Sequence, residues 1–381
     1  MLYFDNAATS YPKPIEVRRA VENSLIYYGA NPGRSGYPMS MDTSREVYTC
    51  REKIAEFFGL QNPENLLFTK SCTEAINIVL QSVAKNGHCI ISDIEHNAVL
   101  RPLHKMKCEG KTEYSVAKVF EHDDEKTLQS FAEAFKPNTK LVAVSGASNV
   151  FGIKLPVKEL AKMAHEHGAL FMLDAAQTAG SVDYKMERDG IDFICAPAHK
   201  GLLGIMGLGI LGTRCPEEIE PLIYGGTGNY SLDFDQPETL PERFESGTLG
   251  VPAICALSEG VEKIKAMGEI NIEKHEIELA KYFYEEIEKL NSVKLYTLTP
   301  NNEHNSAAIS FVLGDLTGEE TSMLLSERGV ASRGGFHCSA LAHRKFKTDN
   351  RGTCRISFGE ANTFDETQKL IKIIYSLDKN I

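Results

Sequence analysis

Hydrophobic residues gather in short uninterrupted runs at 88–94, 141–145, 169–174, 191–196 and 208–212, each of a length suited to a strand buried on both faces. Between several of these runs the apolar period lengthens. Ile76, Val79, Leu80 and Val83 recur at i, i+3, i+4 and i+7, as do Val157, Leu160, Ala161 and Ala164, so helices are predicted there. Gly87 and Gly168 follow these two segments, where C-terminal caps are expected. Strands alternating with helices predict an α/β fold with a mostly parallel sheet covered on both faces, and ligands at the carboxyl ends of the strands.

The pattern changes at 225–250, which is rich in Gly, Pro and acidic residues and reads as a long functional or interface loop. Amphipathic helices are predicted near 256–267 and 271–290, and Thr363 and Glu366 have capping-box spacing before a last helix carrying Leu370, Ile371, Ile373 and Ile374. The expected organisation is a large domain over 13–257 and a smaller C-terminal α/β domain over 258–381, with residues 1–12 packed nearby.

Composition narrows the function. The chain has 381 residues and a formal charge of −11, which argues against nucleic acid as the main partner because phosphate binding needs a basic face. No apolar stretch approaches the roughly 20 residues needed to span a bilayer, and Met1 to Asn6 does not read as a signal peptide. A cytoplasmic location and no membrane partner are expected. The nine cysteines include no Cys-x-x-Cys pair, so neither a zinc site nor a redox motif is expected from their spacing, and most should be reduced core residues.

The chemistry gathers at the predicted strand ends. Asp174 closes one apolar run and Lys200 follows another, within Ala198-His199-Lys200-Gly201. An amine there suits a Schiff base, and the carboxylate suits a protonated pyridine nitrogen, which would offset the cost of burying it. Taken alone, Asp174 serves equally as a helix cap. The glycines at 201, 204, 207 and 209 allow close approach of backbone to a ligand.

Ser71-Cys72-Thr73 leads from the strand-like 66–68 into a helix, an arrangement suited to a phosphate or simply to capping. His96 has the chemistry to stack on a pyridine ring and exchange protons, or to be a hydrogen-bonded loop residue. Asn149 and Gln177 are candidate donors to a phenolic oxygen, or turn residues. Cys338, near Arg333, His337 and His343 and leading into a polar loop expected over 339–353, is a candidate nucleophile whose thiolate neighbouring charges would favour. Arg355 is a candidate bidentate clamp for an α-carboxylate, or half of a surface ion pair.

In shared order, Tyr3-Phe4-Asp5-Asn6-Ala7-Ala8-Thr9, Asn31-Pro32-Gly33-Arg34, Cys72 to Asn77, Glu95-His96, Asp174 to Gln177, His199-Lys200, Arg243 to Thr248, Arg333 to Cys338 and Asn362-Thr363 resemble the cysteine desulfurase and selenocysteine lyase family. That family lies within the class V aminotransferases of pyridoxal 5'-phosphate (PLP) fold type I, and the short spacing around Cys338 resembles its group II branch.

The resemblance implies that Lys200 carries PLP, that His96 stacks on the ring, and that Asp174 meets the pyridine nitrogen. Gln177 and Asn149 would border the phenolic oxygen and the substrate. Cys72, Thr73 and His199 would lie at the phosphate, and Thr248 would reach the phosphate of a second subunit in a homodimer. Ala7, Ala8, Arg34, Asn149, Arg333 and Arg355 would line the substrate site. The implied reaction converts L-cysteine to L-alanine with persulfide formation on Cys338, the sulfur passing to an acceptor protein; no metal is implied. The alternatives are a selenocysteine lyase acting on L-selenocysteine, and a class V aminotransferase or β-lyase. Pro197, Ile205-Met206 and Ala361 depart from the family pattern.

Overall fold

The computed structural model describes residues 1–33 and 36–379. Its strands are β1 (Leu2–Tyr3), β2 (Leu66–Thr69), β3 (His88–Ser92), β4 (Glu113–Ala117), β5 (Thr139–Ser145), β6 (Leu170–Asp174), β7 (Phe193–Pro197), β8 (Gly209–Thr213), β9 (Val293–Leu295), β10 (Ala308–Leu313), β11 (Val330–Ala331), β12 (Arg333–Gly335) and β13 (Thr353–Ser357). Seven of them form one sheet in the order β2-β8-β7-β6-β5-β3-β4. Neighbours from β4 through β7 are parallel, whereas β8 runs antiparallel to both β7 and β2.

All five predicted apolar runs become strands of this sheet. Their side chains alternate between two cores because successive strand residues point to opposite faces. Phe171 and Leu173 join one core and Met172 the other. Helices Cys72–Val83 and Asn97–Cys108 contribute to the core with Met172, and helices Pro38–Phe57, Val157–Glu166 and Val251–Met267 to the core with Phe171. Strand β4 was not apparent in the sequence, since only Ala117 of its residues is buried and it forms a sheet edge.

The C-terminal part has its own antiparallel sheet, β12-β13-β10-β9, and a third core that includes Phe4, Phe283, Phe311 and Ile374. β1 pairs in parallel with β11, and Asp5 bridges to Ser357. The expected boundary at 257/258 falls inside helix Val251–Met267, whose Val261 and Ile264 belong to the large core.

Some local expectations are corrected. Helix Cys72–Val83 is capped by Ala84, and Asn86 (φ +54°) takes the left-handed conformation in place of Gly87. Gly168 does adopt it, at φ +71°. The helix expected from 256 begins at Val251, and the next spans Glu269–Ile287. The 339–353 segment is more than a polar loop: it contains helix Ala340–Lys345 and buries Ala342, His343 and Thr348. Residues 225–250 carry no helix or strand, and the Thr363–Glu366 capping box is formed. No helix among the described residues is long and apolar enough to cross a membrane.

Candidate active site

The carboxyl ends of β3, β5, β6 and β7 and the first turn of helix Cys72–Val83 surround a cavity of about 160 Å³. Cys72, Thr73, His96, Asn149, Asp174, Gln177, His199 and Lys200 all line it. Dispersed over more than 120 positions, these residues meet because parallel strands all end on one side of the sheet.

Lys200 makes no side-chain hydrogen bond or ion pair among the described residues. Burial pushes its pKa down, against the opposing pull of Asp174. A lysine in this setting keeps more of the neutral, nucleophilic amine.

Asp174 is 4% exposed at the end of β6. Its Oδ1 accepts from the Ala176 N–H at 3.0 Å and from the Cys72 thiol at 3.6 Å. A turn follows it, so it caps no helix.

His96 is the N-cap of helix Asn97–Cys108, with Nδ1 accepting from the Ala98 N–H at 3.0 Å. Burial lowers its pKa. An imidazole accepting at Nδ1 carries its proton on Nε2, which leaves Nε2 as the proton-exchanging atom. Behind it, fully buried Glu95 accepts from the Ser145 N–H at 3.0 Å, from the Ser145 hydroxyl at 2.7 Å and from the Ser92 hydroxyl. Burial raises the Glu95 pKa to about 7 against these donors.

The cavity is also lined by the start of helix Cys72–Val83, whose N-cap Ser71 accepts from the Glu74 N–H through its side chain. The N–H groups of a helix's first turn have no partner within the helix. His199 Nδ1 is buried without a hydrogen-bond partner, and burial and the Lys200 and Lys13 charges push its pKa down to about 4.

Gly207 lines the cavity, but Gly209 acts differently from its sequence reading. A Cβ on Gly209 would lie 2.3 Å from the Ser71 carbonyl carbon and 2.5 Å from the Cys72 nitrogen. Here the close approach is of backbone to backbone: the glycine lets β8 pass against the helix start.

Cys338 is exposed and does not line the cavity, but its loop is tied to it. The Asn97 N–H donates to the Cys338 carbonyl at 2.7 Å, and Asn149 Nδ2 donates to the His337 carbonyl at 2.7 Å. Ser339 Oγ donates to Asn149 Oδ1 at 2.5 Å. These bonds hold His337 (φ +51°) and Cys338 (φ +58°) in consecutive left-handed conformations, each costing roughly 1–3 kcal/mol for a non-glycine residue. The histidine charges expected near Cys338 are absent at neutral pH, because burial pushes His337 down to about 2 and His343 to about 4.

Asn149 therefore already has both amide ends engaged. Arg355, 1% exposed, is no surface residue: Nη1 donates to the Asn149 carbonyl at 2.7 Å and Nη2 to Asp5 at 2.5 Å, while Nε is buried without a partner. Ala7 lines a neighbouring cavity that shares Gln177 and Lys200, and its carbonyl accepts from Gln177 Nε2 at 3.1 Å. Ala8 donates its N–H to the Asp5 carbonyl, and Arg333 begins β12. Thr248 is exposed and away from the cavity, bonded by Asn31 Nδ2 at 3.4 Å. Arg34 lies outside the described residues. Glu95 and Asp5 received no role from the sequence, although both fall within the motifs that carried the resemblance.

The Aminotransferase class-V sequence model matches residues 2–370. The chain belongs to that family. It is 30% identical over 379 residues to a probable cysteine desulfurase of Methanothermobacter thermautotrophicus, covering 97% of this chain and 92% of the relative. It is 30% identical over 384 residues to a cysteine desulfurase of Haloferax volcanii, covering 98% and 88%. An apo cysteine desulfurase structure from Thermococcus onnurineus NA1 superposes with a TM-score of 0.91 at 29% identity, covering 100% of this chain and 95% of that one.

The fold is thus the type I fold of PLP-dependent enzymes, and the class-V family is PLP-dependent. The residues present fit that cofactor: an unpaired lysine amine and a buried carboxylate line one cavity, together with a helix start and a histidine whose Nδ1 is orphaned.

Proposed function

We propose that this chain is a PLP-dependent cysteine desulfurase that converts L-cysteine to L-alanine and collects the sulfur on Cys338. The observation carrying the reading is the bond from Asn97 N–H to the Cys338 carbonyl, which tethers a sulfur nucleophile to the residue following His96, beside the cavity holding Lys200 and Asp174. The relatives quoted above bear the desulfurase name, which favours this reading over the selenocysteine lyase and the aminotransferase or β-lyase.

Lys200 would hold the cofactor, Asp174 its ring nitrogen, and His199, Thr73 and the helix start at Cys72 its phosphate. PLP, when bound, supplies an electron sink for charge developing at the substrate Cα. Arg355 holds the substrate carboxylate through hydrogens that Asp5 and Asn149 leave free. The Lys200 amine would move the Cα proton, and His96 Nε2 would manage the proton of the substrate thiol. Cys338 Sγ attacks the substrate sulfur; the S–S bond forms as the C–S bond breaks. The balance is L-cysteine plus one thiol giving L-alanine plus one persulfide.

The same reading takes the enzyme as a cytoplasmic homodimer that passes sulfur to an acceptor protein, with Thr248 reaching the partner subunit's cofactor. Exposed Leu232 and Phe234 on the same segment as Thr248 support such an interface. The domains would divide at Gly268, between helices Val251–Met267 and Glu269–Ile287.

Mass spectrometry after mixing with L-cysteine tests the proposal. The peptide containing Cys338 should gain one sulfur atom, and Cys338→Ala should keep its cofactor colour but lose sulfur release. Undiminished sulfur release by that variant would overturn it.

A further inference from the structure

Helices Pro38–Phe57 and Val251–Met267 pack together, and each brings one buried cysteine to their contact: Cys50, 2% exposed, and Cys255, 5% exposed. Glu46, one turn before Cys50, brings Oε1 within 3.7 Å of the Cys50 sulfur. The two sulfurs and a Glu46 oxygen all lie within 4.8 Å of one another. No other such group of metal-ligating side chains occurs among the described residues.

Ser258 adds an independent observation. It is 2% exposed, stands one turn after Cys255, and its buried hydroxyl has no hydrogen-bond partner other than the Cys50 sulfur it faces. Glu46, Cys50, Cys255 and Ser258 line a single surface cleft with Tyr28, giving a route from solvent. Neither sulfur is in a disulfide.

The spacing suits a tetrahedral ion. Metal–sulfur bonds near 2.3 Å and metal–oxygen bonds near 2.1 Å give tetrahedral edges of about 3.6 Å for S···O and about 3.8 Å for S···S. The observed S···O separation of 3.7 Å is one such edge. Two sulfurs disfavour magnesium and calcium, which take oxygen ligands, and favour a thiophilic ion.

We propose that Cys50, Cys255 and Glu46 bind one thiophilic divalent cation of the zinc class, with the Ser258 hydroxyl or water in the fourth position. The ion joins two helices of the large core and stabilises the folded chain by mass action. None of the four residues lines the cavity around Lys200, so this site does not depend on the desulfurase assignment.

The test uses PLP-loaded, chelator-treated protein carrying Cys108→Ser and Cys338→Ala, in which neither exposed thiol contributes. Cd²⁺ is titrated while ultraviolet thiolate-to-cadmium absorption and Tm are followed. One equivalent should saturate the band and raise Tm. Cys255→Ser on this background should lose both responses, and Glu46→Gln, which leaves both thiols in place, should weaken the binding. Absence of the band before either substitution, or its persistence with Cys255→Ser, would refute the site. A Cys50–Cys255 disulfide that survives reductant and takes up no metal would also refute it.

Discussion

Arg355 Nη2 donates to Asp5 at 2.5 Å, joining residues from opposite ends of the chain at a guanidinium that is 1% exposed. Asp5 is held in turn by the bridge to Ser357, so the N-terminal segment positions the group proposed to receive the substrate carboxylate.

Removing either partner has separable consequences. Arg355→Ala should raise KM for L-cysteine about tenfold or more, since a charge-assisted hydrogen bond contributes about 1.5–3 kcal/mol. Asp5→Asn leaves a buried guanidinium without its counter-charge and should cost about 3 kcal/mol of stability. Steady-state kinetics and urea unfolding of the two variants check this pair.

Glu95 makes stability depend on pH. Its folded pKa near 7 lies above the ordinary carboxyl value of 4.5, so the folded state binds more protons between these limits. The contribution is present below pH 4.5 and lost as pH rises through 7. Glu95→Gln, which does not ionise, should gain on the parent by up to about 3 kcal/mol between pH 4.5 and 7.5. Urea midpoints measured across that range should diverge; parallel curves would remove Glu95 as the cause.

Gly209→Ala should displace the start of helix Cys72–Val83, because the added carbon meets backbone atoms that cannot rotate away. A loss of about 1–3 kcal/mol is expected, together with weaker cofactor retention. Absorbance after gel filtration, beside an unfolding curve, separates these two effects.

The order of alternating strands and helices, the cluster of chemistry at their ends and the family resemblance were legible in the amino-acid sequence. Burial imposes apolar runs on strands such as β5 and β6, and the motifs around Asp174 and Lys200 are contiguous. Edge strand β4 was not legible, since an edge leaves polar side chains in solvent and weakens the run. The 339–353 segment misled for a related reason. Its short helix buries His343 and Thr348, which bond to each other at 2.7 Å, so polar residues there form a packed interior.

The sequence by itself determined the fold class and the family, because both are written in local periodicity and short motifs. Only the tertiary structure decided which distant residues meet: Asp5 with Arg355, Asn149 with the Cys338 loop, and Cys50 with Cys255. Those contacts depend on how helices and sheets pack in three dimensions, and separation along a chain carries no record of a distance across it.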